Sequence, residues 1–143
     1  MSEPLRLPLD RAALDERVGR SPFIRFLGLE VLDADPDAQT VTMRMPMRPE
    51  LERTAGTGHY HGGAIAALID TVGDYALIMR LGVAVPTINF RTDFLRPGTA
   101  PYLEGRATVR RAGRTVGVVD VDVVDSAGRL VAVGRGCYGM QTG

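Results

Sequence analysis

From Thr40 to Met47 apolar and polar residues alternate with a period of two, the pattern of a strand with one face buried. Asp35-Pro36-Asp37 just before it is turn chemistry, and Leu29 to Leu32 begins an earlier strand, so this stretch predicts a hairpin. Four more runs read as strands: Thr87 to Leu95, Tyr102 to Arg111, Thr115 to Val124 and Arg129 to Tyr138. Turn residues separate them at Arg96-Pro97-Gly98, Ala112-Gly113 and Ser126-Ala127-Gly128. Between the hairpin and this meander the pattern changes. Ala64 to Leu81 is apolar around a 3.6-residue period except at Asp70, Thr71, Asp74 and Arg80, which predicts a helix buried in the middle of the domain and ended by Gly82. Asp10 is placed to cap a short helix running to about Gly19, with Leu14 and Val18 on one face, so residues 1–20 form a helical extension. Phe23 to Gly28 fits either a helical turn or a pocket-lining loop.

A hairpin, one long apolar helix and an antiparallel meander make an α+β fold. One sheet must cover that helix on most sides, so the expected architecture is a curved antiparallel sheet wrapped around a single central helix, the hotdog arrangement. The 143 residues suffice for one domain, 1–143. Alternation breaks at Val118-Val119, which predicts a bulge or strong twist in that strand.

Composition narrows the chemistry. The chain has no lysine, so Schiff-base, pyridoxal-phosphate and phosphate-loop lysine chemistries are excluded. Its single cysteine, Cys137, excludes an internal disulfide and any multi-cysteine zinc site, and suggests a reducing, cytoplasmic setting. None of the three serines lies in G-x-S-x-G. Seventeen basic and seventeen acidic residues balance, so no net field draws the chain to nucleic acid or an anionic membrane, and no apolar run reaches signal-peptide or membrane-span character.

The residues that remain point to one region. Gly62 and Gly63 stand where a polar loop, Leu51 to Gly63, becomes helix, so their N–H groups lie at the positive end of the helix without intrahelical partners. Such donors suit the oxyanion of an acyl-transfer intermediate, although two glycines at a helix start are common without catalysis. Asp70 follows on the same helix; it is either a reactive carboxylate or one satisfied by a neighbouring loop or arginine. Eight residues at about 1.5 Å each separate Gly62 from Asp70 by roughly 12 Å, too far to act on one carbonyl. Two helices packed antiparallel about a two-fold axis bring Asp70 of one copy to Gly62 of the other, so this chemistry requires a homodimer.

His61-Gly62-Gly63 with Asp70, Thr87-Ile88-Asn89-Phe90 and Phe94-Leu95-Arg96-Pro97-Gly98 resembles the hotdog-fold acyl-CoA thioesterases of the phenylacetic-acid-pathway (PaaI-like, 4-hydroxybenzoyl-CoA thioesterase-like) type, over roughly Gly28 to Tyr138. The resemblance implies hydrolysis of acyl-CoA to free acid and coenzyme A, with no metal or cofactor beyond the coenzyme A of the substrate. It makes Asp70 the nucleophile or general base and Gly62 the backbone donor from the other subunit. His61, counted with them in the catalytic set, supports the loop and can contact the thioester, and Thr87 at the next strand's start can hold the attacking water. Gly63 and Asn89 belong to the substrate-contacting set, and a homodimer or dimer of dimers is implied. One departure stands out: many relatives carry Asn or Gln seven residues before the first glycine, and here that position is Ala55, leaving Thr54, Thr57 or His59 as substitutes. Asp74, one turn beyond Asp70, either shares a proton with it or is a rim residue in water; the rim reading is preferred.

Other signals carry less. Gly134 to Gly139 spells G-x-G-x-x-G but leaves no room for the helix of a dinucleotide site. Asp120, Asp122 and Asp125 lack calcium-loop spacing and are expected to face solvent. His59 and His61 lack a third metal ligand, and Cys137 reads as a small packed side chain. Arg106, Arg110, Arg111 and Arg114 are either a solvated hairpin end or, with Arg110 and Arg111 foremost, contacts to coenzyme A phosphates. Phe23, Phe26, Leu27, Met79 and Phe90 are candidates for an acyl pocket. A non-catalytic acyl-CoA-binding domain, a hotdog dehydratase using His61 and a purely structural domain are the competing readings.

Overall fold

The computed structural model describes residues 4–140. Asp10 accepts a hydrogen bond from the Ala13 N–H and starts α1 (Arg11–Val18), whose Leu14 and Val18 are buried. Ser21 caps α2 (Pro22–Leu27) in the same way, with Pro22 in its first turn and Gly28 at its end with φ +71°, so the run at Phe23 is a helical turn. The hairpin is β1 (Glu30–Asp35) and β2 (Thr40–Pro46). After a short 3-10 turn at Pro49–Leu51 and an irregular loop, α3 runs Gly62–Leu81. Strands β3 (Thr87–Phe94), β4 (Tyr102–Ala112), β5 (Val116–Asp125) and β6 (Leu130–Gly139) complete the chain.

All six strands form one antiparallel sheet in the order β1-β2-β4-β5-β6-β3, with α3 packed on its inner face, so the expected hotdog arrangement is present. Alternation sends Val41, Met43 and Met45 of β2, Leu103 and Ala107 of β4, and Val119, Val121 and Val123 of β5 into a core with Leu68, Ile69, Val72, Ala76 and Leu77 of α3. The sheet bends through bulges, but not in the strand expected. β5 keeps its alternation, while the extra residue opposite Val118-Val119 is Arg110 of β4; Leu32, Ile88 and Val131 bulge in β1, β3 and β6. The run of valines in β5 misled because Val116 and Val118 occupy the outer face, where apolar residues are tolerated.

Asp125 also departs from expectation. It is buried at the β5–β6 turn, where it accepts from the Ala127 and Arg129 N–H groups and from the Arg129 guanidinium. Burial opposes its charge, but those hydrogen bonds prevail and hold its carboxyl below the usual range. Asp120 is half-buried and paired with Arg135, and Asp122 alone of the three is exposed.

One contact ties the far end of the chain to the middle of α3. Tyr138 of β6 is fully buried, lies across Gly136 two residues earlier and against Gly73, and donates from its hydroxyl to the Asp70 backbone carbonyl at 2.9 Å. A Cβ on Gly136 would fall 2.6 Å from the Tyr138 ring, inside van der Waals contact. Gly136→Ala should therefore lower the unfolding free energy by about 1–3 kcal/mol in urea titration. Gly19→Ala, at a right-handed helical position where the nearest atom is 3.4 Å away, removes the same backbone freedom and should leave stability equal or slightly higher. Equal effects of the two substitutions would show that the Tyr138 contact does not constrain the core.

Candidate active site

The loop before α3 is pinned at several points. His61 N–H donates to Leu51 O at 2.8 Å, Tyr60 N–H to Gly98 O at 2.9 Å and Arg53 N–H to His59 O at 2.8 Å, while the buried Tyr60 hydroxyl donates to Met45 O. This fixes where the helix begins, two residues earlier than the apolar run suggested. His61 is the N-cap: its Nδ1 accepts from the Gly63 N–H at 2.8 Å, and its carbonyl accepts from Ala64 and Ile65. The Gly63 donor expected to face substrate is thus already engaged. The Gly62 N–H has no acceptor among the described residues and points outward from the positive end of α3.

Two clefts flank this terminus. One, of about 360 Å³, lies on the Gly62 side and includes Arg53, His59, Ile65, Phe94 and Arg96. The other, of about 200 Å³, lies on the Gly63 side between α2 and α3, where Phe23, Phe26 and Leu27 meet His61, Ala64 and Ala67. Three of the five residues expected to line an acyl pocket therefore share a cleft. Met79 does not join them because it is buried at the other end of α3, and Phe90 does not because it sits on the edge strand.

Asp70 occupies the stripe of α3 that the sheet leaves uncovered, with Gly63, Ala66, Ala67, Thr71 and Asp74, and is only half-buried in the protomer. The Thr87 hydroxyl, at the start of β3, donates to Asp70 Oδ1 at 2.9 Å. The β3–β6 register sets Thr87 opposite the inward Tyr138 but Asn89 opposite Cys137, on the outer face, so Asn89 does not join Asp70. Cys137 is half-buried rather than part of the core. Arg110 and Arg111 lie toward the far end of β4, and Arg110 faces Asp120 across 3.5 Å on the outer sheet surface. Hydrogen bonds from Arg135 first, and then the Arg135 and Arg110 charges, outweigh burial and hold the Asp120 carboxyl below its usual range. Neither Arg110 nor Arg111 shares a cleft with Gly62 in one protomer.

Asp74 differs most from its expectation. It is half-buried, not a rim residue in water, and its Oδ1 is sealed from solvent with no hydrogen-bond partner among the described residues. Burial, then the adjacent Asp70 charge, push its carboxyl up to about 7. Its i,i+4 spacing from Asp70 signalled proximity, but nothing in the sequence signalled burial. Tyr138, which anchors the Asp70 backbone from 68 residues away, gave no local signal at all. Among the described residues no cluster of three or more His, Cys, Asp or Glu could hold a metal ion, and no helix is long and apolar enough to cross a membrane.

Comparison with known proteins identifies the family. The model of the thioesterase superfamily matches residues 57–132, from the loop before the Gly62 donor to β6. A Halobacterium salinarum protein described as an esterase is 36% identical over 141 residues, covering 90% of this chain and 91% of its own. The acyl-coenzyme A thioesterase PaaI of Escherichia coli K12 is 33% identical over 111 residues, covering 77% of this chain and 76% of its own. Among solved structures, a thioesterase-superfamily protein superposes with a TM-score of 0.83 at 34% identity, covering 90% of this chain and 96% of that one. Matched over more than half its length by the family's model, and across most of its length by relatives at these identities, the chain belongs to the thioesterase superfamily of hotdog-fold thioester hydrolases.

Proposed function

We propose that this chain hydrolyses acyl-CoA thioesters to a free acid and coenzyme A, with Asp70 of one copy acting on a carbonyl held by the Gly62 N–H of a second. The observation that carries the reading is the free Gly62 donor at the start of the same helix whose uncovered stripe holds a carboxylate oriented by Thr87. The thioesterase activity in the name of the Escherichia coli relative supports the substrate class.

The second copy follows from the surface. β3 is an edge strand, with a row of unpaired backbone groups, and it exposes Ile88 (57%), Phe90 (40%) and Phe94 (54%). Pairing β3 with its own copy about a two-fold axis continues the sheet, covers those side chains and lays the two α3 stripes side by side, antiparallel. Asp70 then faces the partner's helix start, closing the roughly 12 Å that separate the groups within one chain.

At that junction the thioester oxygen accepts from Gly62, which stabilises the charge that develops on it. Asp70 either takes a proton from water, whose oxygen bonds to the carbonyl carbon, or attacks to form an anhydride that water opens. In both routes the carbon–sulfur bond breaks, the electron pair leaves on the thiolate, and the proton removed from water returns to sulfur. Water, a carboxylate and a backbone donor balance these steps without a metal or cofactor. The small cleft beside His61 suits the acyl group, and the larger one, with Arg53 and Arg96, the coenzyme A arm. Arg110 and Arg111 reach substrate only in an assembly that brings another copy's β4 to the site, such as a dimer of dimers. A binding domain without turnover is the second reading, favoured by Ala55, which sits exposed in the loop with no polar side chain to offer.

Thiol release from short, medium, long and aryl acyl-CoA thioesters tests the activity. Wild type should release coenzyme A, and folded, dimeric Asp70→Asn should lose about 10²–10⁴-fold in rate. Binding of acyl-CoA without release by wild type would select the binding-domain reading. For the assembly, the double variant Ile88→Asp/Phe90→Asp should sediment as a monomer and lose turnover, although neither residue belongs to the proposed chemistry. Full activity in that monomer would end the two-copy site.

A further inference from the structure

Asp74 lies one turn from Asp70 on the same stripe, about 6 Å along the axis at 1.5 Å per residue, a separation that one water molecule spans with two ordinary hydrogen bonds. Thr87 occupies one side of the Asp70 carboxylate at Oδ1, which leaves the remaining lone pairs for water. The Asp74 Oδ1 atom is shut off from solvent and lacks a protein partner among the described residues, whereas Oδ2 is not enclosed in this way and is the oxygen left to meet a water molecule.

We propose that Asp74 is a positioning residue, whose carboxyl O–H donates to the attacking water and holds it against Asp70. This rests on the thioesterase reading of the site. The water oxygen accepts from Asp74, and one of its protons passes to Asp70 as its oxygen bonds to the carbonyl carbon. Collapse expels the thiolate, which receives that proton, and Asp74 keeps its own throughout.

The surroundings favour a protonated Asp74. Asp70 is the charged neighbour on α3. Tyr138 of β6 has its hydroxyl committed to the Asp70 carbonyl; burial first, then the Asp70, Asp74 and Cys137 charges, push its phenol upward, so it stays neutral. Tyr75, beside Asp74 on α3, is likewise pushed upward, by burial and then by Asp74. Arg17 of α1 acts on Tyr75 and donates to the Gly82 carbonyl, and no cation among the described residues pairs with Asp74. Since the Asp74 carboxyl is raised to about 7, its donor is present below that pH and lost above it.

The test is kcat against pH for wild type, Asp74→Asn, Asp74→Ala and Asp70→Asn, on whichever thioester wild type turns over. Wild type should decline above about pH 7. Asp74→Ala should lose about 100-fold in kcat with little change in KM. Asp74→Asn, which keeps an N–H donor but cannot ionise, should recover at least about ten-fold over Asp74→Ala and lose the alkaline decline. Carbon-13 NMR of the Asp74 carboxyl should show a midpoint near 7 in wild type that moves down in Asp70→Asn. A wild-type pH profile retained in both Asp74 variants, or an Asp74 midpoint in the ordinary carboxylate range, overturns the inference alone, provided Asp70→Asn has abolished turnover. Wild-type rates in Asp70→Asn, or no thioester turned over by wild type, overturn the reading of the site and this inference with it.

Discussion

A single six-stranded sheet cannot close around a helix of twenty residues, and the stripe of α3 it leaves uncovered is the constraint on which the rest of the molecule depends. Opposite that stripe α3 is sealed by apolar contacts of Leu68, Ile69, Val72, Ala76 and Leu77, whose loss would cost several kcal/mol per large side chain. Along the stripe the residues shrink or become polar: Gly63, Ala66, Ala67, Asp70, Thr71 and Asp74. Small residues allow another helix to approach closely, and burial raises the proton affinity of the Asp74 carboxyl. The same incompleteness leaves β3 as an open edge with apolar side chains beside the stripe. Edge and stripe are two sides of one unfinished surface, which is why the chemistry and the proposed assembly are located together.

The site is held by contacts that reach it from distant parts of the chain. Thr87 begins the strand next to the Asp70 carboxylate, and Tyr138 grips the Asp70 backbone from β6, so the carboxylate is oriented through both its side chain and its main chain. Tyr138 can lie flat only because Gly136 and Gly73 present no side chain to it. The close packing that stabilises the core therefore also sets the position of the Asp70 carboxylate.

Elements whose periodicity is local were legible in sequence: the alternation of β2, the apolar run of α3 and the turns of the meander each identify themselves within a dozen residues. The H-G-G motif and its downstream acid were legible for the same reason, since their spacing is fixed along one helix. What could not be read was set by pairing between elements. The bulge in β4 shifts the register opposite Val118-Val119, so the strand that looked irregular is regular and its neighbour is not. A bulge at Ile88 separates Thr87, which turns inward to Asp70, from Asn89, which turns outward. Asp125 looked like a solvent-facing strand residue because its partners, the backbone N–H groups of its own turn, are invisible to a pattern of side chains. Asp74 was visible as a neighbour of Asp70 but not as a buried one, because its burial comes from the packing around α3.

The order of residues at the start of α3 has a physical consequence of its own. A helix begins with several N–H groups that its own carbonyls cannot reach, and most proteins satisfy some of them with a cap. Here the cap is an imidazole, and its Nδ1 takes the second glycine's donor rather than the first. The His61 carbonyl takes the next two, so a single N–H is left over, on the residue with no side chain to screen it and at the end of the helix where the dipole favours negative charge. An aspartate cap could occupy a donor at the same place, but the imidazole does so without adding a full negative charge beside the oxyanion of the proposed reaction. His61 thus selects which glycine N–H stays free, and under the proposed function that leaves Gly62 rather than Gly63 to meet the thioester oxygen.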